Sequence, residues 1–305
     1  MKLLSDADIF RYQFGNIQMK HPFLQGEMIP ASTEYVLGLV DEVIKSSIES
    51  TGADSYICVL SGKGNFRNDI AKQQVYKGNR DPSQSRPFHY DTIGDHIIAN
   101  HPCVVVDGSE ADDWLGIEQR KDPQNTCISS RDKDLKGVYG FHHRIACGAT
   151  QPEVPIHWIS EFEAMHFFMY QMLIGDNTDN IPGCGKKLMV KWGKGEMLRR
   201  KGVGSKTALK LLEPCRSVGE MYKVISEQYQ TVFEGEWEAV MLEQARLLYI
   251  GQAPDNLFDW SWLDFSLTDA NICIDENKPT EEITNDYVRN GETEQRDHHD
   301  ESVPC

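Results

Sequence analysis

Apolar residues recur at helical spacing over Glu34–Ser50, where Val36, Leu37, Val40, Val43, Ile44 and Ile48 form one stripe. Short apolar runs at Lys2–Ser5, Tyr56–Leu60, Pro102–Val106 and Thr126–Ser129 predict buried strands. Between them, Tyr90–Asn100 and Asp112–Arg120 predict helices. Strands alternating with helices predict an α/β fold with a mostly parallel central sheet flanked by helices. From Trp158 onward the pattern turns helical, over Trp158–Ile174, Lys206–Leu212, Val218–Tyr229 and Glu236–Ile250. The chain thus divides into an α/β part, 1–174, and a helical part, 175–260.

Composition narrows the class. Hydrophobics at 40% and aromatics at 10% of 305 residues exclude wholesale disorder. No apolar run approaches a membrane span, and Met1–Phe10 does not read as a secretory signal. Eight cysteines are scattered without a CxxC pair, which predicts free thiols in a reducing compartment. The expectation is a soluble, cytoplasmic protein with no membrane partner.

The formal net charge of −16 argues, as a total, against a nucleic-acid partner. Its distribution changes that picture. Residues 275–305 carry ten acids and three bases with one aromatic, which predicts an acidic, disordered tail. Gly183–Lys210 is the opposite, with nine bases, one acid and six glycines. A charge run alone is usually a solvated face. Glycine turns interleaved with lysines, however, let backbone amides approach phosphate closely.

Acids collect where the predicted strands end. Asp6 and Asp8 follow the first, Glu110, Asp112 and Asp113 the third, and Asp132 and Asp134 the fourth. Gly175-Asp176-Asn177-Thr178-Asp179 follows the long apolar helix. Any one cluster is explained by helix capping and the helix dipole. Several together cost repulsion and desolvation unless cations neutralise them, and hard divalent ions such as Mg²⁺ or Mn²⁺ take oxygen ligands. Two such ions clamp the oxygens of an in-line phosphoryl displacement.

The strings GSEADD (108–113), SSRDKDL (129–135), GDNTDNIPG (175–183), YKGNR (76–80) and KGVGSKTA (201–208) resemble the 5′ nuclease family of flap endonucleases and 5′→3′ exonucleases. Within it the chain is most similar to the stand-alone bacteriophage 5′→3′ exonucleases, from about Lys2 to about Tyr249. The resemblance implies a PIN-like, resolvase-type nuclease core with a helical arch near 66–100, then a helix–three-turn–helix DNA-binding element. It implies a metal cluster of Asp6, Glu110, Asp112, Asp113, Asp132 and Asp134, with Asp176 and Asp179 in a second group. Lys77 and Arg80 fall where the family places catalytic bases on the arch, and Tyr76 could stack on a base. Lys186, Lys187, Gly202, Gly204, Ser205, Lys206 and Thr207 would grip duplex backbone, with K⁺ near 202–205.

The implied activity is Mg²⁺-dependent, two-metal-ion 5′→3′ exonuclease action by a monomer on duplex DNA with a 5′ end or flap, leaving a 5′-phosphate. Mn²⁺ would substitute, and RNA–DNA hybrids are a secondary substrate. Flap endonuclease cleavage as the main activity, a non-catalytic DNA-binding scaffold and an RNA-processing PIN-like nuclease are the alternatives. Three departures bear on detail. Ser61 stands where the family commonly has Asp, Gln13 where it often has Arg, and a lysine-rich insertion separates Gly183 from Gly202, either widening the duplex grip or forming a small hairpin.

Overall fold

The computed structural model describes residues 1–269 except 82, 149, 193 and 194, with the backbone alone over 187–201. The predicted tail, 275–305, lies outside the described residues. The amino-terminal elements are β1 (Lys2–Asp6), α1 (Asp8–Gln13), β2 (Gln18–Lys20), β3 (Met28–Pro30), α2 (Thr33–Thr51), β4 (Ser55–Ser61), α3 (Arg67–Ile70) and α4 (Tyr90–Asn100). They are followed by β5 (Cys103–Val106), α5 (Ala111–Lys121), β6 (Thr126–Ser129), β7 (Gly140–Arg144), β8 (Val154–Ile159) and α6 (Glu161–Ile174). A hairpin of β9 (Gly185–Trp192) and β10 (Gly195–Gly202) then leads to α7 (Ser205–Leu212), α8 (Val218–Phe233) and α9 (Trp237–Leu248).

Six strands form one sheet in the order β5-β4-β1-β6-β7-β8, parallel except for the β7–β8 pair. The central strands are apolar on both faces, as covering by helices on both sides requires. Phe10, Val36, Val40, Ile44, Ile93 and Ile97 cover one face, and Ala111, Leu115, Leu135 and Ile250 the other. Parallel pairing brings Asp6, Ser61, Val106 and Ser129, the last residues of β1, β4, β5 and β6, to one edge. This edge carries the site.

Helix boundaries follow local chemistry. Ser32 accepts from Tyr35 N to start α2, and Gly52 ends it at φ 62°. The predicted helix over Trp158–Ile174 begins only at Glu161, because Ser160 and Glu163 form a reciprocal capping box and Trp158 and Ile159 belong to β8. Helix α6 is buried almost all round and is the spine of a helical core with α7, α8 and α9; Tyr229 Oη donates to Met172 O at 2.8 Å. The lysine-rich insertion is a hairpin, with Lys186 paired to Lys201 and Trp192 to Gly195.

The segment near 66–100, where an arch is expected, contains α3 and α4, with turns and irregular backbone over 71–81 and 83–89, where Gly78 and Pro87 oppose a continuing helix. Among the described residues, Cys58, Cys103, Cys127 and Cys215 are free thiols. None of the described helices is long and apolar enough to cross a membrane.

Candidate active site

The acids that end the strands converge in one cleft with two adjoining hollows. Asp6 and Asp8 line one; Asp134, Asp176 and Asp179 line the other; Glu110, Asp112 and Asp132 face both. Lys77 and Arg80 also border both hollows. Asp134 therefore lies with Asp176 and Asp179 rather than beside Asp6, where the motif grouping puts it.

Local structure aims each acid. Gly108, at φ 82°, turns the chain after β5, and Glu110 becomes the residue that precedes α5. Asp112 lies in the first turn of α5, where the helix dipole favours negative charge. Ser61 Oγ accepts from Ala111 N at 3.0 Å, so the hydroxyl standing at the family's Asp position satisfies an amide of the first turn of α5. Asp132 caps the short 3₁₀ turn Lys133–Gly137 by accepting from Asp134 N at 2.8 Å. Ser130 Oγ donates to Asp6 Oδ2 at 2.6 Å and accepts from Asp132 N at 2.9 Å, tying the ends of β1 and β6 together. Gln171 Nε2 holds Asp134 Oδ1 at 2.6 Å from α6.

The last two acids sit on a tight loop after α6. Gly175 at φ 74° and Gly183 at φ 58° pack backbone to backbone, and a Cβ on either would collide with the other. Asp176 bridges to Ile181, and its side chain accepts from Thr178 N at 2.7 Å and faces Lys133 Nζ at 3.5 Å. This loop is stitched to residues 75–80. Asn180 Nδ2 donates to Val75 O at 2.8 Å and Asn79 Nδ2 to Asn177 O at 2.5 Å. Lys77 N donates to Asp179 O at 2.9 Å, which holds Lys77 at φ 54°. A left-handed backbone at a non-glycine residue costs about 1–2 kcal/mol, so these contacts offset a local strain.

Cations and one phenol already engage the acids. Lys77 Nζ binds Glu110 and lies 3.6 Å from Asp179, and Arg80 Nη2 is 3.0 Å from Asp179 Oδ1. Tyr76 Oη sits 2.8 Å from Glu110 Oε2 and 2.7 Å from Asp179 Oδ2. Tyr76 is thus a buried bridge between two carboxylates rather than an exposed ring for stacking.

Electrostatics divide the acids into two groups. Burial opposes the charge on Glu110, but Lys77 and Arg67 outweigh it and hold its pKa below the ordinary value. For the acids further in, burial and repulsion prevail. Burial pushes Asp6 up to about 7, with Asp8 and Asp132 adding to it against the Ser130 hydrogen bond. Burial, then repulsion from Asp132, Asp6 and Glu110, raises Asp112 well above its usual range. Burial and neighbouring acids raise Asp132 and Asp134 as well. Four packed carboxylates resist ionising together, and a multivalent cation reverses that preference.

Asp113 is a correction. Its carboxylate is fully buried, pairs with Nη1 and Nη2 of Arg67 and accepts from Gly251 N at 3.1 Å. Adjacent positions on a helix point about 100° apart, so Asp112 faces the cleft while Asp113 faces the core. Arg67, Ser130, Lys133 and Gln171 were not singled out from sequence; their roles depend on contacts remote along the chain. Asp8 binds Arg11 at 3.2 Å and Ser61 N at 2.9 Å, and Gln13 donates to Ala146 O at 3.1 Å.

The glycine-rich segment places Gly204 immediately before α7, with no side chain capping the helix. Ser205 is half-buried, while Lys206 and Thr207 are exposed on the first turn. Gly202 packs against the backbone at Cys184–Gly185, where a Cβ would clash. Lys186 is exposed, with Nζ 5.1 Å from the centre of the Phe233 ring. The Lys187 side chain lies outside those described.

No protein-family model matches the chain. It is 27% identical over 210 residues to DNA polymerase I of Bacillus subtilis, a match covering 64% of this chain and 22% of that protein. It is 27% identical over 174 residues to a 5′-3′ exonuclease of Buchnera aphidicola, covering 53% of this chain and 50% of that one. The chain thus spans about a fifth to a half of the length of these relatives. In fold it is similar to the bacteriophage T5 flap endonuclease in a complex with DNA and metal ions, with a TM-score of 0.54 at 16% identity, covering 82% of this chain and 89% of that one. The sequence relatives agree with the resemblance to 5′ nucleases, and the solved structure shows a shared fold.

Proposed function

We propose that this 5′-nuclease-like chain is a divalent-cation-dependent phosphodiesterase that acts 5′→3′ on duplex DNA with a 5′ end or flap. The observation that carries this reading is the convergence of Asp6, Glu110, Asp112, Asp132, Asp134, Asp176 and Asp179 on one two-lobed cleft beneath Lys77 and Arg80. The donor set is all oxygen, densely charged and raised in pKa at four positions, which fits Mg²⁺, with Mn²⁺ as a substitute. Asp6, Glu110, Asp112 and Asp132 would hold one ion and Asp132, Asp134, Asp176 and Asp179 a second. Bound there, such ions supply charge neutralisation and Lewis acidity for in-line displacement at phosphorus.

The chain's own residues do the rest. Lys77 and Arg80 exchange their carboxylate partners for the scissile phosphate and stabilise the charge that develops on it. Tyr76 holds Glu110 and Asp179 at a fixed separation, and Ser130 orients Asp6. The amides of Gly204, Ser205, Lys206 and Thr207 at the start of α7 meet a duplex phosphate, with K⁺ bound near 202–205. Lys186 and Lys187 on the hairpin extend that grip beyond the core 1–174 along the helical part 175–260. Backbone contacts read shape more than sequence, so a hybrid RNA strand is a secondary substrate. We read the active form as a monomer. The names of the relatives, a polymerase I, a 5′-3′ exonuclease and a flap endonuclease bound to DNA and metal ions, support this reading.

A flap whose 5′ end is blocked by a bulky protein tests the direction of attack. Stepwise exonuclease action predicts that cleavage of the blocked strand falls at least tenfold relative to the free one. Internal cutting at the same rate would make flap endonuclease action the main activity.

A further inference from the structure

Away from the carboxylate cleft, three side chains from two helices meet at one point. Asp41 lies on α2, His96 on α4, and His101 is the residue that ends α4. His96 Nε2 is 2.6 Å and His101 Nε2 is 2.9 Å from the same oxygen, Asp41 Oδ1. The three candidate ligand atoms all lie within 4.8 Å of one another. Both imidazoles are largely buried, at 16% and 11% exposed, whereas Asp41 is 47% exposed.

We propose that Asp41, His96 and His101 form a binding site for Zn²⁺ or a similar first-row transition ion, which clamps α4 onto α2. Two imidazole nitrogens and one carboxylate oxygen are a common three-ligand set for such ions, and the open side of Asp41 leaves a fourth position for water. A tetrahedral ion at about 2.0–2.1 Å from each donor needs donors about 3.3 Å apart, so the two spacings from Asp41 Oδ1, 2.6 and 2.9 Å, have to open by less than about 1 Å. That shift lies within side-chain rotation of an exposed aspartate.

The other ring nitrogens bear on the tautomer. A ring that binds metal through Nε2 carries its proton on Nδ1 and needs an acceptor there. Tyr56 Oη, 3.1 Å from His101 Nδ1, is such an acceptor. Asn100 Nδ2, 3.1 Å from His96 Nδ1, donates in the metal-free arrangement, and the exposed amide has to turn its oxygen toward the ring. The two kinds of site sort ions by chemistry. Imidazole nitrogens favour Zn²⁺, while the oxygen-only cleft suits Mg²⁺. Because α4 follows directly on residues 71–89, an ion here fixes the far anchor of the segment that carries Lys77 and Arg80.

Calorimetric titration of the full-length chain with Zn²⁺, in excess Mg²⁺ to fill the carboxylate cleft, tests this. Wild type, Asp41→Asn and the His96→Gln/His101→Gln double variant are compared, with thermal melting in parallel. Asp41→Asn keeps an acceptor oxygen for both histidines. Expected are one Zn²⁺ per wild-type chain, affinity at least tenfold weaker in both variants, and a Zn²⁺-dependent rise in melting temperature confined to wild type. Mg²⁺-supported cleavage remains unchanged in Asp41→Asn. Absence of Zn²⁺ binding by wild type would reduce the three side chains to a hydrogen-bonded clasp. Equal Zn²⁺ binding in all three proteins would move the ion elsewhere and overturn the proposal. If the double variant fails to fold, Co²⁺ bound to wild type decides: the intense visible spectrum of a four-coordinate ion, lost in Asp41→Asn, supports the site, and a weak octahedral spectrum contradicts it.

Discussion

Arg67 grips Asp113 through two parallel contacts, Nη1 to Oδ2 at 2.5 Å and Nη2 to Oδ1 at 2.9 Å, with both side chains about 1% exposed. The same guanidinium donates to Leu247 O at 3.0 Å and Tyr249 O at 3.1 Å, so it joins α3, α5 and the end of α9 directly beneath the cleft. Burial works against the charge on Arg67, and the Asp113 carboxylate more than offsets it, raising the guanidinium pKa. Removing one member of such a pair leaves the other buried and uncompensated. Asp113→Ala should therefore lower stability by about 3–5 kcal/mol in urea denaturation, with Mg²⁺ affinity of the folded fraction unchanged. Lost Mg²⁺ affinity at unchanged stability would return Asp113 to the metal cluster.

Asp132 is one of three acids, with Glu110 and Asp112, that face both hollows. Its removal takes a ligand from each proposed ion and also relieves repulsion on Asp6, Asp112 and Asp134. Asp132→Ala should cut turnover by at least a thousandfold while DNA affinity in Ca²⁺ stays within about threefold, an effect on the barrier of about 4 kcal/mol. Its metal-free form should melt no lower than wild type. Single-turnover cleavage, gel-shift and melting measurements together check all three expectations.

Lys77 stands in for a cation between Glu110 and Asp179. A lysine in that position competes with a bound ion and then serves the phosphate. Lys77→Ala should tighten Mg²⁺ binding several-fold and yet lower turnover by about 10²–10³-fold, as for loss of one donor to a developing charge. Weaker Mg²⁺ binding in this variant would show that Lys77 does not compete for the site.

Proton and metal occupancy should be linked. Asp6 titrates at about 7 in the folded chain, against about 4 when unfolded. Between those values the metal-free fold holds a proton that the unfolded chain has released. Its contribution to stability is therefore present at low pH and lost as pH rises through about 7. His142, pulled down to about 4 by burial, acts oppositely as pH falls, but it is common to metal-bound and metal-free protein. The melting-temperature difference between Mg²⁺ and EDTA should thus widen from pH 5 to pH 8. A constant gap over that range would count against Asp6 as a cation ligand.

The sheet and its acid-bearing edge were legible because each is written locally. Continuous apolar runs mark β1, β4, β5 and β6, and carboxylates lie at a strand end or within a few residues after it, at Asp6, Asp112 and Asp132. What adjacency in sequence hides is direction. Asp112 and Asp113 are neighbours in the motif, yet the roughly 100° between adjacent helix positions separates cleft from core. Arg67 and Tyr76 acquire meaning only through partners at 113, 110 and 179, which spacing does not reveal. The start of α6 was readable from Ser160 and Glu163, but the apolar pair Trp158–Ile159 fits a strand end as well as a helix start. The antiparallel β7–β8 pairing carries no comparable local mark.

Cleavage of DNA from a 5′ end with divalent cations is the activity proposed for the carboxylate cleft. Its most direct test is a digest of 5′-labelled nicked, flapped and blunt duplexes by wild type and Asp132→Ala, in Mg²⁺ and in EDTA. Wild type in Mg²⁺ should release short labelled products and leave a 5′-phosphate on the shortened remainder of the strand, and neither should form in EDTA or with the variant. Equal cleavage in EDTA, or wild-type cleavage by Asp132→Ala, would contradict it.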